Sequence, residues 1–447
     1  MSPTTNLSPS EDELRRALIA LRADNPSLGI PKLHALLLST HSSWAVSEKR
    51  TRKLLQNEGL VLTSNHSTAR STSDQSAAST DVKKFPLSAV VEGLDISKWT
   101  SKIEVKYFDK IKGKGLVAKE KLFQGEIIWK EDHFIFAPEW EIYDLQRSSL
   151  ACSFCSTPLQ DSPIAISCPP SASSTGHACP ARFCNRLCLS RSGRTHPLLC
   201  PSQNPASVPL LSFSRKTEWM ALHALAQCTA RLLLTYQQDE SAWKSDWKYV
   251  RSLAQLGMEE RAKDEWMNGV EVDRETWKKG HQLFLQAFQE PAAAPEKKKL
   301  ARLLKKPLEK EIADALFPYP SFLLGLGRMN LNIEAHGGIY VLHSHLNHSC
   351  SPNVSIRHLD QRTALSRITV IAKQDIQPGE ELCITYVNPE LPVDLRRRQI
   401  MEWGFGLCQC PRCIAEGSDS PDKAQKAVPT LDLGDLESEL KAGLGVL

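Results

Sequence analysis

Ten of the chain's thirteen cysteines fall in two tight stretches, seven between Cys152 and Cys200 and three between Cys408 and Cys413. Thiols at this density either pair as disulfides in an oxidising compartment or hold metal in a reducing one. The N-terminus, Met1-Ser2-Pro3-Thr4-Thr5, lacks the charged-then-apolar layout of a secretory leader. No run of about 18 apolar residues marks a membrane span. The expected setting is therefore the cytosol or nucleus, without a membrane, and the expected partner of the thiols is zinc.

The first stretch reads Cys152-x2-Cys155, Cys168, Cys179, Cys184-x3-Cys188 and His196-x3-Cys200. Eight candidate ligands suffice for two closed tetrahedral sites, because a short turn presents two thiolates to one ion. The order, ending in His-x3-Cys, resembles a MYND finger. That resemblance implies one zinc on Cys152, Cys155, Cys184 and Cys188, interleaved with a second on Cys168, Cys179, His196 and Cys200. It also has a departure: ten residues separate Cys168 from Cys179 where a MYND finger has two. The stretch Pro169-Pro170-Ser171-Ala172-Ser173-Ser174 reads as an inserted loop, and His177 within it is an alternative ligand. Closed sites of this kind are structural or present a binding surface.

A second pattern carries the chemistry. Leu346-Asn347-His348-Ser349-Cys350-Ser351-Pro352-Asn353 is followed by Gly379-Glu380-Glu381-Leu382-Cys383-Ile384-Thr385-Tyr386. The pair resembles the C-terminal motifs of SET-domain protein lysine methyltransferases. The split arrangement resembles the SET-and-MYND group, and within it the fungal Set-five histone methyltransferases, which share Arg328-Met329-Asn330-Leu331-Asn332-Ile333-type sequence. The resemblance implies S-adenosylmethionine bound by Asn347 and His348, with Gly113 and Gly115 letting backbone close around it. Lys114, between those glycines, and Asn332 (or Asn330) are further cofactor contacts, and Tyr386 is the catalytic tyrosine. Tyr340 and Phe405 are candidate walls of the lysine channel or plain core. Cys408-x-Cys410-x2-Cys413 is one ligand short of a tetrahedral zinc, and the family's post-SET site supplies the fourth from Cys350.

The reaction so implied is a direct displacement, in which a neutral lysine amine attacks a sulfonium methyl group. It needs alignment more than acid–base chemistry. An apolar channel keeps the amine unprotonated by desolvation. Oriented oxygens and aromatic faces hold the methyl group and the methylated ammonium.

The remaining chain supplies the surroundings. At 447 residues, with 41% hydrophobic and 24% charged residues, two to four globular domains are expected. A net charge of +4 does not by itself argue nucleic-acid binding. Ser10 and Glu13 form a capping box before Leu14, Ala17, Leu18 and Leu21, predicting a first helix. Pro31 suits the first turn of a second helix over 32–38, and Ser47 caps a third over 48–57 carrying Lys49, Arg50, Arg52 and Lys53. Three short helices, the last basic, resemble a helix-turn-helix; chromatin or nucleic-acid contact and a solvated charged face both fit. The run from Lys297 to Lys310 is either a nuclear localisation signal or a solvated basic helix.

The fold expected is α+β: a mainly-β SET domain interrupted by a MYND-like zinc finger and a helical insert, with a small N-terminal helical domain. Its parts are 1–62 helical, 63–90 flexible linker, 100–150 SET N-terminal part, 151–200 MYND-like finger and 201–325 helical insert. The SET C-terminal part at 326–390, the post-SET motif at 391–415 and a tail at 416–447 complete it. The function expected is S-adenosylmethionine-dependent lysine methylation of a protein, by resemblance a histone tail and histone H4, in the nucleus and cytoplasm. The competing reading is a zinc-finger adaptor or chromatin-binding protein of little activity.

Overall fold

The structure is a computed structural model that describes residues 9–25, 30–41, 43–57, 85–160, 162–169, 178–263, 273–358 and 366–417. It divides into two units, Met1–Asp81 and Val82–Leu447. His177, Trp266 and the tail beyond residue 417 lie outside the described residues.

The described residues of the first unit hold three helices, α1 (Glu11–Asp24), α2 (Ile30–Thr40) and α3 (Glu48–Asn57). The capping box is present: Glu13 N–H donates to Ser10 Oγ, and Ser10 N–H donates to Glu13 Oε2 at 2.9 Å. Helical spacing then places Leu14 and Leu18 against Leu33, Leu37, Leu54 and Leu55 in one small core. Each buried leucine contributes roughly 1.5–3 kcal/mol, so a core this size holds three short helices that would be marginal alone. Lys49 lies exposed on α3.

The second unit begins earlier than the expected end of the linker at residue 90. Leu87 pairs with Gln255 through two backbone hydrogen bonds of 3.0 and 2.9 Å, and Ala89 N–H donates to Ser252 O at 3.1 Å. Phe85 lies against Gly406. Apolar residues at 85, 87 and 91 provide the surface that the Ser/Thr-rich stretch before them lacks.

Strands β1 (Ile103–Tyr107) and β2 (Lys114–Ala118) form an antiparallel hairpin. Its turn is set by Asp109, whose Oδ1 accepts from Ile111 N–H and Lys112 N–H at 2.8 and 2.7 Å. Next come β3 (Ile127–Asp132), β4 (Ile135–Phe136) and α4 (Trp140–Arg147). A cysteine-rich segment follows, with β5 (Ile166–Ser167), β6 (Arg182–Phe183), α5 (Arg186–Ser192) and α6 (His196–Leu199).

Among the described residues eight helices succeed it: α7 (Val208–Lys216), α8 (Met220–Gln238), α9 (Glu240–Ser252), α10 (Met258–Ala262), α11 (Arg274–Phe288), α12 (Ala294–Leu303), α13 (Lys310–Leu316) and α14 (Tyr319–Asn332). The helical region thus runs past the expected boundary at 325. Leu326 and Met329 are buried in the same core as Leu222, Leu225 and Leu232 of α8, which extends α14 by two turns. Cys228 is a buried member of that core.

The chain returns through β7 (Gly338–Ile339), β8 (Asn347–His348), β9 (Val354–His358), β10 (Arg367–Ala372) and β11 (Glu381–Ile384). It closes with α15 (Val393–Glu402) and α16 (Pro411–Gly417). Among the described residues, one sheet has the order β1-β2-β11-β8, another β3-β10-β9, and β4 pairs with β7 and β5 with β6. The β4–β7 pair is a clamp at the base of the excursion: Phe134 N–H donates to Ile339 O at 2.7 Å and Ala137 N–H to Gly337 O at 2.9 Å. Everything between leaves and re-enters the β core at one point. The β core itself packs Leu116, Trp129, Tyr340, Val354, Ile368, Val370 and Leu382. The architecture is α+β.

Candidate active site

The site lies where β2, β11 and β8 run side by side. β11 pairs antiparallel with β2 and parallel with β8, placing Cys383 opposite Asn347 and Ile384 opposite His348. Two residues separated by 233 positions are thereby joined: Asn347 Nδ2 donates to Lys114 O at 2.9 Å, and also to Glu381 Oε1 at 2.8 Å.

The glycines flanking Lys114 are needed for different reasons. Gly113 has φ +70, a left-handed conformation, and a Cβ there would stand 2.3 Å from Ser88 Oγ. At Gly115 the constraint is space: a Cβ would meet Phe108 at 2.5 Å, Asn347 Nδ2 at 2.8 Å and Glu381 Oε1 at 2.9 Å. Lys114 is 2% exposed, and its ammonium donates to Ser252 O at 3.1 Å. Burial pulls its pKa from 10.5 to about 7. Its side chain therefore ties the glycine turn to the end of α9, while its carbonyl serves Asn347.

His348 is half-buried between two partners. Nδ1 accepts from Tyr386 N–H at 3.0 Å, and Nε2 lies 3.3 Å from Cys350 Sγ. Burial lowers its pKa to about 4, so the ring is neutral. The Tyr386 hydroxyl donates to Leu346 O at 2.6 Å, and its ring lies between His348 and Phe405, with centroids 5.4 and 5.5 Å away. Desolvation holds the phenol above its ordinary pKa, and the ring remains partly open to solvent.

The other sequence candidates divide. Asn332 is buried, and its amide is engaged by backbone: Nδ2 donates to Ala254 O and Arg328 O, both at 2.7 Å, and Oδ1 accepts from Ala254 N–H at 3.2 Å. Asn330 Nδ2 lies 3.4 Å from Met258 Sδ. Tyr340 is fully buried core, its hydroxyl donating to Ser366 O. Phe405 stands beside Tyr386.

All three expected ligand groups are brought together. Cys152, Cys155, Cys184 and Cys188 converge, as do Cys168, Cys179, His196 and Cys200, and Cys350, Cys408, Cys410 and Cys413; within each group the ligand atoms lie within 4.8 Å of one another. Sγ–Sγ separations are 3.7 Å for Cys155–Cys184, 3.4 Å for Cys184–Cys188, 3.9 Å for Cys168–Cys200 and 3.5 Å for Cys350–Cys413. A disulfide sets sulfurs about 2.05 Å apart. Tetrahedral zinc with bonds of about 2.3 Å sets them about 3.8 Å apart, which these groups fit. The widened Cys168–Cys179 interval therefore does not keep those two cysteines from sharing a site.

Several supporting residues were assigned no role from the sequence. Asn353 bridges the strands, donating to Glu381 O and accepting from Cys383 N–H, both at 2.8 Å. Arg412 donates to Cys350 O at 3.1 Å and Pro389 O at 2.7 Å, fastening α16 to the Asn-His-Ser-Cys turn. Arg396, 1% exposed, reaches Glu416, Leu391 O and Cys413. Glu131, fully buried with its pKa raised to about 7 by desolvation, accepts from Leu342 N–H and His343 N–H at 2.7 and 3.1 Å. Each makes at least one contact across twenty or more residues, which no spacing rule detects.

A glycine turn, an Asn-His strand and a tyrosine capped by a cysteine quartet define a SET-type site, and a SET domain is matched over residues 113–387. The chain belongs to the SET-domain family. Over nearly its whole length it is similar to fungal proteins named histone-lysine N-methyltransferase SET5. That of Mycosarcoma maydis is 29% identical, covering 97% of this chain and 94% of the relative. Those of Yarrowia lipolytica and Scheffersomyces stipitis are each 30% identical over 97% of this chain, and over 88% and 87% of their own lengths. Among solved structures, the SET domain of LSMT bound to lysine and AdoHcy aligns with 13% identity and a TM-score of 0.33, over 70% of this chain and 54% of that one.

Proposed function

We propose that the protein is an S-adenosylmethionine-dependent protein lysine N-methyltransferase acting on histone tails in the nucleus. The observation that carries this reading is the meeting of Gly115 on β2, Asn347 and His348 on β8, and Tyr386 just past the end of β11. Family membership and near full-length similarity to named histone-lysine N-methyltransferases support it.

Gly113, Gly115, Asn347 and His348 are the residues to hold the cofactor, which supplies an electrophilic methyl on a sulfonium sulfur. The protein's own contribution is placement. Tyr386, neutral and anchored on Leu346 O, presents an oxygen and an aromatic face to the lysine end of the site. Phe405 and the half-buried His348 ring exclude water there, favouring the unprotonated lysine amine. The bound cofactor would supply the methyl group, while these residues would align the neutral amine with it and leave the amine proton a path to solvent.

The three cysteine-rich groups are zinc sites in this reading. The two in 152–200 shape a MYND-like finger; the third clips α16 over the tyrosine. Zinc supplies cross-linking at closed thiolate sites and takes no part in the transfer.

Incubation of the protein with labelled S-adenosylmethionine and a histone mixture, followed by mass spectrometry, tests the reading. Methylated lysine on a histone, histone H4 first among them, is the expected result. Calorimetry separates the competing adaptor reading: failure to bind S-adenosylmethionine by folded, metal-loaded protein would favour the adaptor.

A further inference from the structure

The β4–β7 clamp carries a group of side chains that neither the methyl-transfer site nor the cysteine quartets use. Glu334 and His336 come from the turn between α14 and β7, and His358 from the end of β9. Their ligand atoms lie within 4.8 Å of one another, as in each cysteine group. His358 Nε2 is 3.2 Å from Glu334 Oε1, and the His336 and His358 rings lie edge to face with centroids 4.3 Å apart. A tetrahedral ion with nitrogen and oxygen bonds of about 2.0–2.1 Å sets its ligands about 3.3 Å apart.

Two further observations go beyond proximity. His336 Nδ1 lies 2.9 Å from Glu139 Oε1, the contact by which an outer carboxylate fixes a metal-binding imidazole's orientation and raises its basicity. Glu334 is itself held, its Oε2 accepting from His336 N–H at 2.9 Å. Behind the group sits His343, 7% exposed, with neither ring nitrogen hydrogen-bonded among the described residues, and electrostatically coupled to Glu334 and His358. The three candidate ligands are partly open to solvent, leaving an entry path. Two imidazoles and a carboxylate with no thiolate suit a divalent first-row metal such as zinc.

We infer that Glu334, His336 and His358 form an additional divalent transition-metal site, with Glu139 positioning His336. β9 carries His358 at the end opposite Val354, whose neighbour Asn353 bonds to Glu381 and Cys383 beside the Asn-His strand. The site draws on residue 139 from before the excursion and on 334, 336 and 358 from after it. An ion there pins the two flanks of the SET domain together at the base of the cysteine-rich and helical insertions.

Full-length protein, purified with its thiolate-bound metal and dialysed against a mild chelator, is titrated with cobalt chloride. The expected result is one additional equivalent per chain, with visible cobalt absorption but no sulfur-to-cobalt charge-transfer band. That equivalent is lost in His358→Gln and in Glu334→Gln, and binds about 10–100-fold more weakly in Glu139→Gln, while thiolate-bound metal by mass spectrometry stays constant. No additional equivalent in the unaltered protein overturns the inference, as does one that carries the thiolate band or persists unchanged in both ligand variants. Because the unaltered protein alone can overturn it, a variant that fails to fold does not shield the inference.

Discussion

The backbone N–H of Tyr386 donates to Nδ1 of His348, so the two residues that mark the site hold each other in place. The bond requires an unprotonated Nδ1, which the lowered pKa of about 4 maintains. The proton of the neutral ring then sits on Nε2, facing Cys350 Sγ. The Asn-His strand, the Tyr386 backbone and the C-terminal cysteine quartet are thus connected through one imidazole.

Tyr386→Phe removes the hydroxyl that donates to Leu346 O and keeps the ring between His348 and Phe405. Turnover should fall about a hundredfold or more, the loss of one oriented contact worth on the order of 2–4 kcal/mol, with cofactor affinity little changed. His348→Ala should instead weaken cofactor binding first. Methyl incorporation into histone and calorimetry with S-adenosylmethionine separate the two effects.

Gly115→Ala places a methyl group against Asn347, Glu381 and Phe108 at once. The neighbours include a rigid ring and an amide already making two bonds, so β2 and β8 must part. Overpacking of this kind costs about 1–3 kcal/mol. Calorimetry should show cofactor affinity down roughly tenfold or more; unchanged affinity would place the cofactor elsewhere.

Cys410→Ser should cost one zinc per chain and most of the turnover, leaving the metal of the 152–200 groups in place. Arg412 then still ties α16 to the Asn-His-Ser-Cys turn, and Arg396 and Arg397 tie it to α15. Elemental analysis paired with methyl incorporation reads both effects.

Truncation distinguishes where the catalytic unit begins. A chain starting at Val82 keeps Phe85, Leu87 and Ser88 and should match the full protein in melting temperature and in turnover on a peptide. Starting at Val90 removes both Leu87–Gln255 hydrogen bonds and the Ser88 contact with the glycine turn. At about 0.5–1.5 kcal/mol per bond, on the order of 2 kcal/mol of stability should go with them. Equal melting temperatures for the two would show that this segment is dispensable.

Acid should destabilise the fold through buried histidines, with Glu131, whose pKa burial raises to about 7, offsetting part of the effect. His223 and His345 are each 1% exposed, and burial lowers the first from 6.5 to about 4 and the second well below 6.5. The unfolded chain binds those protons first, so between pH 6.5 and about 4 stability falls as pH falls. Each contributes up to about 1.4 kcal/mol per pH unit in that window. Melting temperatures at pH 7 and 5 measure it, and His223→Gln should shrink the difference.

Local signals were the legible ones. Ser10 and Glu13 announce α1 because a capping box is contained within four residues. Spacing alone marks the cysteine stretches as metal ligands; their division into quartets, and Cys350 as the fourth ligand of the last, is legible only through the resemblance to MYND fingers and post-SET sites. The Ser/Thr-rich stretch was read as continuing to residue 90, since Leu87 finds its partner, Gln255, only in three dimensions. The same holds for Glu381 beneath Asn347, Arg396 beneath Cys413, and Glu139 beside His336. His336 carries no ligand signal in the sequence, because neither Glu139 nor His358 stands at a ligand-like interval from it. Asn332 sat in a family-like segment, but which backbone its amide would meet depended on where α9 ends.

The β8–β11 pairing also has a consequence for how the chain is made. Asn347 leaves the ribosome well before Tyr386 and Cys413, and at roughly 5–20 residues per second the interval lasts several seconds. Throughout it β2 has no β11 beside it, and Cys350 has no partner thiols. The helical excursion, closed on itself at β4 and β7, can be complete by then. Translation therefore delivers an insoluble risk before it delivers an enzyme: an uncovered strand edge that only the last hundred residues can cover. Messages truncated before Tyr386 should yield chains for the protease, not partial methyltransferases.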